Sequence, residues 1–314
     1  MKRKWCFTIG LLVLGASVAT GEEKRPQVKG GIGDKPFITR MGAATGVGGY
    51  TEIHFRFERT DGITEAITFE AKRFNIFTYT PVSDRVRVAS ELEFEEGGEE
   101  IKVEIAALDF ELHPSVTLRG GIILSPLGRF NLAHDSPGYD LTDRPLVSTK
   151  IIPTALSEAG MGVFGAFYPT SRSRVTYELY GVNGFHDGVL TGDPDGTRIA
   201  AGRGNWEDNN NRPAWVGRLA VSPQPAYEVG FSFHRGAYNV WEVEKLQVDE
   251  RRDLIITAVD WEASWGRFEL VGEYAKASID VPAESVVFQS RQSGYYAQVN
   301  THFGRDLVPA LPGS

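Results

Sequence analysis

The sequence predicts an all-β chain: a transmembrane, antiparallel, up-and-down β-barrel with about 12 visible strands. Three observations predict it. From about Val47 onward apolar and polar residues alternate with a period of two, and no comparable segment has a helical period. The candidate strands run to about 10 residues, near the length a tilted strand needs to cross a hydrocarbon core and longer than the roughly 5–6 of an ordinary strand. Connections are short at one end of the strands, while several at the other end are long. That is the layout of an outer-membrane barrel. A soluble β-sandwich, with its apolar face turned inward, is the alternative. It must explain the long strands and the uneven loops separately.

The elements follow in order. Residues 1–20 (MKRKWCFTIGLLVLGASVAT) have a basic head, an apolar run and small residues at the end. They read as a secretory signal peptide, with a membrane anchor as the alternative. The sole cysteine, Cys6, lies inside it, so the exported chain is expected to lack disulfides and cysteine–metal sites. Residues 21–46 are rich in Gly and charge and read as a flexible leader. The barrel is expected over 47–314. Its candidate strands are 47–58, 65–79, 84–95, 101–112, 115–124, 159–168, 173–182, 213–222, 226–235, 253–264, 267–278 and 293–303. Short turns (PVSD, HPS, PTSR, SPQP, WGR) lie at the end nearer the N-terminus. The far-side connections include 125–158, 183–212, 236–252 and 279–292. Residues 154–158 (TALSE) suggest one helical turn within a loop.

In the stretch YTEIHFRFE (50–58), Thr51, Ile53, Phe55 and Phe57 share one face, with Glu52, His54 and Arg56 on the other. The same division recurs in most strands. If the apolar face meets lipid, the inward, pore-lining set is Glu52, His54, Arg56, Arg85, Arg87, Glu91, Glu93, Arg119, Arg174, Glu178, Arg218, Asp260, Glu262, Arg267, Glu269 and His302. The facing of 65–79, 101–112 and 159–168 does not follow from the alternation. Aromatics gather at strand ends: Tyr79, Tyr168, Tyr227, Trp265 and Phe303 near, Trp215, Tyr274 and Tyr295 far. Barrels carry aromatic belts at such levels.

Net charge is −8, from 33 Lys+Arg and 41 Asp+Glu, which argues against a nucleic-acid partner. There is no G-x-S-x-G elbow and no H-E-x-x-H pair, and the inward histidines lack metal-ligand spacing. No catalytic, metal or cofactor site is expected. The Asp- and Asn-rich stretch 191–213 reads as a solvated loop, with Ca²⁺ binding as the lesser alternative.

Four blocks are more specific than rhythm. SDRVRVASELEFE begins at Ser83, followed by VEIAALDFELHPSVTLRGGIILSPLG, RPLVSTKIIPT and SEAGMGVFG. Their succession resembles the family of porins that includes the phosphate-selective porins O and P, over roughly residues 47–182. The resemblance implies a water-filled outer-membrane pore, often a homotrimer, with a long loop folded into the lumen. By that analogy 125–158 is the constriction loop, carrying Arg129, His134, Arg144 and Lys150. It further implies outer-membrane lipid and lipopolysaccharide as surroundings, and passive diffusion of small hydrophilic solutes or ions. A plugged ligand-binding or structural barrel is the alternative. Two departures stand out. Acids are as numerous as bases on the inward face, so phosphate selectivity does not follow. The chain also continues past Phe303 as GRDLVPALPGS. It therefore reads as a fragment of a larger barrel of about 16 strands or as a complete barrel of about 12.

Overall fold

Twelve strands form where the alternation places them, and each pairs antiparallel with the next. They are β1 Thr45–Thr60, β2 Ile63–Pro81, β3 Val86–Glu95, β4 Glu100–His113, β5 Val116–Leu124, β6 Ser157–Phe167, β7 Arg174–Val182, β8 Ala214–Gln224, β9 Tyr227–Ala237, β10 Asp253–Trp265, β11 Phe268–Ile279 and β12 Arg291–Thr301. The computed structural model describes residues 5–10, 35, 39–41, 45–191, 196–283 and 287–303, with backbone only for 5–10 and 39–41. Two short segments lie along β1. Thr39–Met41 pairs with its start, and Trp5–Gly10, within the stretch assigned above to a signal, runs beside its far half. The tail after Phe303 lies outside the described residues.

The connections are less regular than the strands. At the near side all five are tight. At the far side two are also tight: Asp61 and Gly62 form a two-residue hairpin turn with φ of 52° and 86°, and Glu96–Gly98 makes a single 3₁₀ turn. Long far-side loops begin only after β5. No helical turn forms at 154–158. Ser157 and Glu158 instead open β6, paired with Leu124 and Ile123. A ladder position satisfies those backbone groups, and a lone helical turn leaves most of its own unmet. The loop's helical turns are α1 Arg129–Leu132 and α2 Val147–Lys150. The turn expected at SPQP is displaced, because β8 runs on to Gln224 through a register shift after Val221.

Burial is inverted relative to a soluble sandwich. Phe69 and Tyr295 are 78% and 75% exposed, and Ile53, Met161, Leu219 and Phe231 share that face. On the opposite face Glu273 and Asp260 are 0% and 1% exposed, and Glu178, Arg218 and Glu228 are buried as well. Bulges explain two of the strands with ambiguous facing. Lys72 is the extra residue where β2 pairs across Glu52 and Ile53. Glu104 is the extra residue where Glu91 pairs with Ile105 and Leu92 with Val103. The third, β6, carries glycine at 160, 162 and 165, so little side-chain contrast marks its faces. One aromatic differs from expectation. Tyr79 pairs with Gly46 and Ala89, which puts it on the inward face rather than in an outer belt.

The sheet is curled into a barrel wall. His134 reaches Glu104 on β4, while Asp140 accepts hydrogen bonds from Gln298 and Asn300 on β12. Six residues of chain span at most about 20 Å. Eight strand spacings laid flat would separate β4 from β12 by about 38 Å. Both bonds form because the sheet bends round the loop. Among the described residues no hydrogen-bonded ladder joins β12 to β1.

Candidate functional site: the charged interior and its inserted loop

Alternation turns one charged residue in two toward the interior, where neighbours of opposite sign meet across strands. Arg218 on β8 binds Asp260 at 2.6 Å and Glu228 at 3.2 Å, and Arg174 binds Glu228 at 2.9 Å. Glycine makes the first pair possible. A Cβ on Gly230, between the two strands, would lie 2.3 Å from Arg218 Nη2 and 2.6 Å from Asp260 Oδ2. Arg119 grips Asp109 with two parallel bonds of 2.7 and 2.8 Å and lies over the Phe164 ring. Arg73 joins Glu52 and Glu93, both at 2.8 Å. His54 meets Glu52 at 2.5 Å, Arg56 meets Glu70 at 2.8 Å, and Arg87 pairs with Glu111. Tyr180 donates to Glu178 at 2.9 Å. Glu269 accepts from Asn300 at 3.1 Å and faces His302 at 3.4 Å. Arg85, Arg267 and His302 lie at the exposed near end. The pore-lining set thus shares the inward face, but most of its members are held in ion pairs, more often with other inward or loop residues than with one another.

Loop 125–158 enters this interior and is fixed there along its length. Gly128, at φ +71°, donates its N–H to Ser232 on β9, and Phe130 donates to Glu273 on β11. A Cβ at Gly128 would meet Glu273 Oε2 at 2.5 Å, so the approach needs glycine. Asn131 closes the loop base: its amide donates to the Ser125 carbonyl, and its Oδ1 accepts from the Leu156 N–H, both at 2.8 Å. Arg129 reaches Glu262 at 3.2 Å. His134 is fully buried against Glu104. Burial, opposed by none of its cationic neighbours, holds its pKa below the usual imidazole value. Arg144 donates to the Thr154 carbonyl at 2.8 Å and to the Tyr139 hydroxyl at 3.0 Å. Burial pushes the Tyr139 phenol up to about 12. Arg203, from the next loop, donates to the carbonyls of Pro153 and Ala155. Burial, then the nearby Arg144, lowers its pKa. Of the four basic residues expected to narrow the passage, three are therefore structural pins. Lys150, at the end of α2, is exposed.

The far half of the interior is apolar. Leu127, Leu132, Val147, Ile151, Ile152 and Leu156 of the loop form one cluster with Ile123, Val216, Ile256, Ala275 and Ala277 of the wall. Phe185, Val189 and Ile199 from loop 183–213 join it. In that second loop Asn209 and Asn210 donate to the carbonyls of Tyr238 and Ala237, so these amides knit loops together. Residues 192–195 of the stretch considered for Ca²⁺ lie outside the described residues.

Sequence reasoning missed Lys35, Glu104, Asp135, Asp109 and Glu158, and the alternation put Glu273 on the inward face without its role as a loop anchor. Glu158 bonds His234 at 3.0 Å, and Glu273 anchors the loop. The broken alternation at VEIAAL was a signal for Glu104. Nothing local marked Lys35.

No family model matches the chain. An uncharacterized protein of Aquifex aeolicus (strain VF5) is 35% identical over 145 residues, 44% of this chain and 32% of that protein, so the chain spans about a third of its relative's length. Among solved structures, Pseudomonas aeruginosa OccK5 (OpdH) overlaps 82% of this chain and 76% of its own, with 10% identity and a TM-score of 0.36. A loop L8 deletion mutant of OmpT, an outer membrane protein of Vibrio cholerae, overlaps 83% and 90%, with 13% identity and a TM-score of 0.35. Overlap this loose leaves the functional reading to the chain's own geometry.

Proposed function

We propose that the chain is the wall of a porin-like barrel in the bacterial outer membrane, through which small hydrophilic solutes or ions diffuse passively. One observation carries this reading: the exposed face is apolar along strands of membrane-spanning length, while the charges are turned inward. Eleven residues at about 3.3 Å each, tilted by about 45°, rise roughly 25 Å, the height of a barrel's apolar band. Lipid and lipopolysaccharide would solvate that face, and a homotrimer is the assembly that the resemblance to the phosphate-selective porins implies. The mixed charge of the interior favours weak ion selectivity over phosphate selectivity.

A second reading is a plugged barrel that passes no current, favoured by the apolar cluster in the far half. Planar bilayers separate the two. A conducting barrel gives stepwise currents as wild type, larger ones when residues 133–150 are replaced by a short Gly–Ser linker, and a reversal potential moved toward cations by Lys150→Glu. A plugged barrel is silent as wild type and conducts only with the linker. Silence from both, or a chain that folds as a monomer in buffer without detergent, would defeat the porin reading.

A further inference from the structure

The bulge in β4 places an extra carboxylate, Glu104, on the inward face, where it meets an imidazole from the inserted loop. His134 Nδ1 lies 2.8 Å from the Asn131 carbonyl. A carbonyl only accepts, so Nδ1 carries a proton, and when the ring is neutral Nε2 presents a lone pair. That lone pair faces Glu104 Oε2 at 2.8 Å. Two acceptors at this distance repel unless something positive joins them. Glu91 stands beside them, with Oε1 held by the Asn75 amide at 2.9 Å and Oε2 left for a cation. One ligand atom from each of Glu91, Glu104 and His134 lies within 4.8 Å of the others, and all three residues are buried. Asp135, next in the chain to His134, shares the Lys35 ammonium with Glu91 and can supply a third oxygen, and its Oδ1 is buried with no hydrogen-bond partner.

A positive charge is already drawn to this place. Lys35 sets its ammonium 2.5 Å from Glu91 Oε2 and 3.2 Å from Asp135 Oδ2. One ammonium balances only one of three carboxylates, and buried charge left unbalanced is costly. The donor set is two or three oxygens and one imidazole nitrogen whose other ring nitrogen is held by a carbonyl. That is how protein sites present ligands to Zn²⁺ or Mn²⁺.

We propose that Glu91, Glu104 and His134, with Asp135, form a divalent-cation site inside the barrel, and that Lys35 is a tethered competitor for it. Metal and ammonium exclude each other. Binding of the ion releases the Lys35 side chain, and insertion of Lys35 expels the ion. The site does not depend on whether the barrel conducts.

The test uses the full chain folded in detergent micelles, titrated with Zn²⁺ by calorimetry and with Mn²⁺ by electron paramagnetic resonance. Lys35→Gln removes a competitor whose tether gives it a high effective concentration, so affinity rises about tenfold or more. Adding His134→Ala or Glu104→Gln to that variant abolishes the gain. A second measurement needs no variant: amine labelling of Lys35 in wild type increases as Zn²⁺ saturates. Equal affinity in Lys35→Gln and Lys35→Gln/His134→Ala would overturn the proposal. So would Lys35 labelling that stays constant through saturation.

Discussion

Along a single strand the interior changes character. On β10 the inward residues run from Glu262 and Asp260 at the near end to Ala258, Ile256 and Leu254 at the far end. On β11 they run from Glu269 and Glu273 to Ala275, Ala277 and Ile279. On β8, Arg218 gives way to Val216 and Ala214. The near half is held by ion pairs that satisfy one another, and the far half by apolar packing against two inserted loops. The strands β1 to β4 lack the apolar stretch: Arg56, Glu58, Glu70, Glu95 and Lys102 stay charged at their far ends. The loops that need an apolar bed therefore arise only after β5. One strand can thus serve as a polar wall below and a plug seat above, with its outer face apolar along most of its length.

Breaking the near half should have the larger effect. Arg218→Ala strands the buried Asp260 without its cation and leaves the buried Glu228 with Arg174 alone. Removing one partner of a buried pair typically costs about 3–5 kcal/mol. The heat-induced unfolding transition in micelles should fall accordingly. Changing Arg218→Met together with Asp260→Leu should recover much of it, because no lone charge remains. If the single variant unfolds like wild type, the ion pairs are not what holds this half.

Breaking the far half acts through volume. Ile256 is fully buried in the apolar cluster, and Ile256→Ala leaves a cavity worth about 2–4 kcal/mol. The outcome that sharpens the comparison is local. Loop 125–158 should become a better protease substrate, while the near-side pairs keep their amide protection. Uniform loss of protection across both halves would show that the interior is one cooperative unit and not two.

How much of this was legible beforehand follows from the same contrast. Outer faces read cleanly, because Phe231, Val229 and Tyr227 alternate with Ser232, Gly230 and Glu228. The lengthwise gradient did not read, because both faces become apolar at its far end: Leu254, Ile255 and Ile256 are consecutive, and periodicity is silent there. Bulges hid the facing of β2 and β4, since one extra residue reverses every later side chain. Arg129, His134 and Arg144 were rightly placed on the loop, but their partners lie up to 133 residues away in sequence. No local pattern distinguishes a basic residue that pins a loop from one that faces a permeant. Asp135 and Lys35 meet across 100 residues and were out of reach for the same reason.

The smallest expected effect lies outside both halves, in the loop after β9. Asp249 accepts two hydrogen bonds from Arg252, at 2.5 and 2.7 Å, and one from the Glu250 N–H at 2.7 Å. The Arg252 bonds, then the backbone bond, hold its carboxyl below the usual aspartate value. With the folded pKa depressed, the opened loop takes up its proton first as pH falls. The loop's stabilisation is therefore complete above about pH 4 and is lost as the pH drops through the folded value. Amide exchange at Glu250 and Arg252, corrected for intrinsic rates, should speed up below that pH in wild type. In Asp249→Asn the pH dependence should vanish, with protection at neutral pH already reduced. Because Asp249 makes its bonds within its own loop, to Glu250, Arg252 and Asn239, exchange at Ile256 should ignore the Asp249→Asn substitution. Parallel changes at Ile256 would mean that the outer loop and the apolar seat open together.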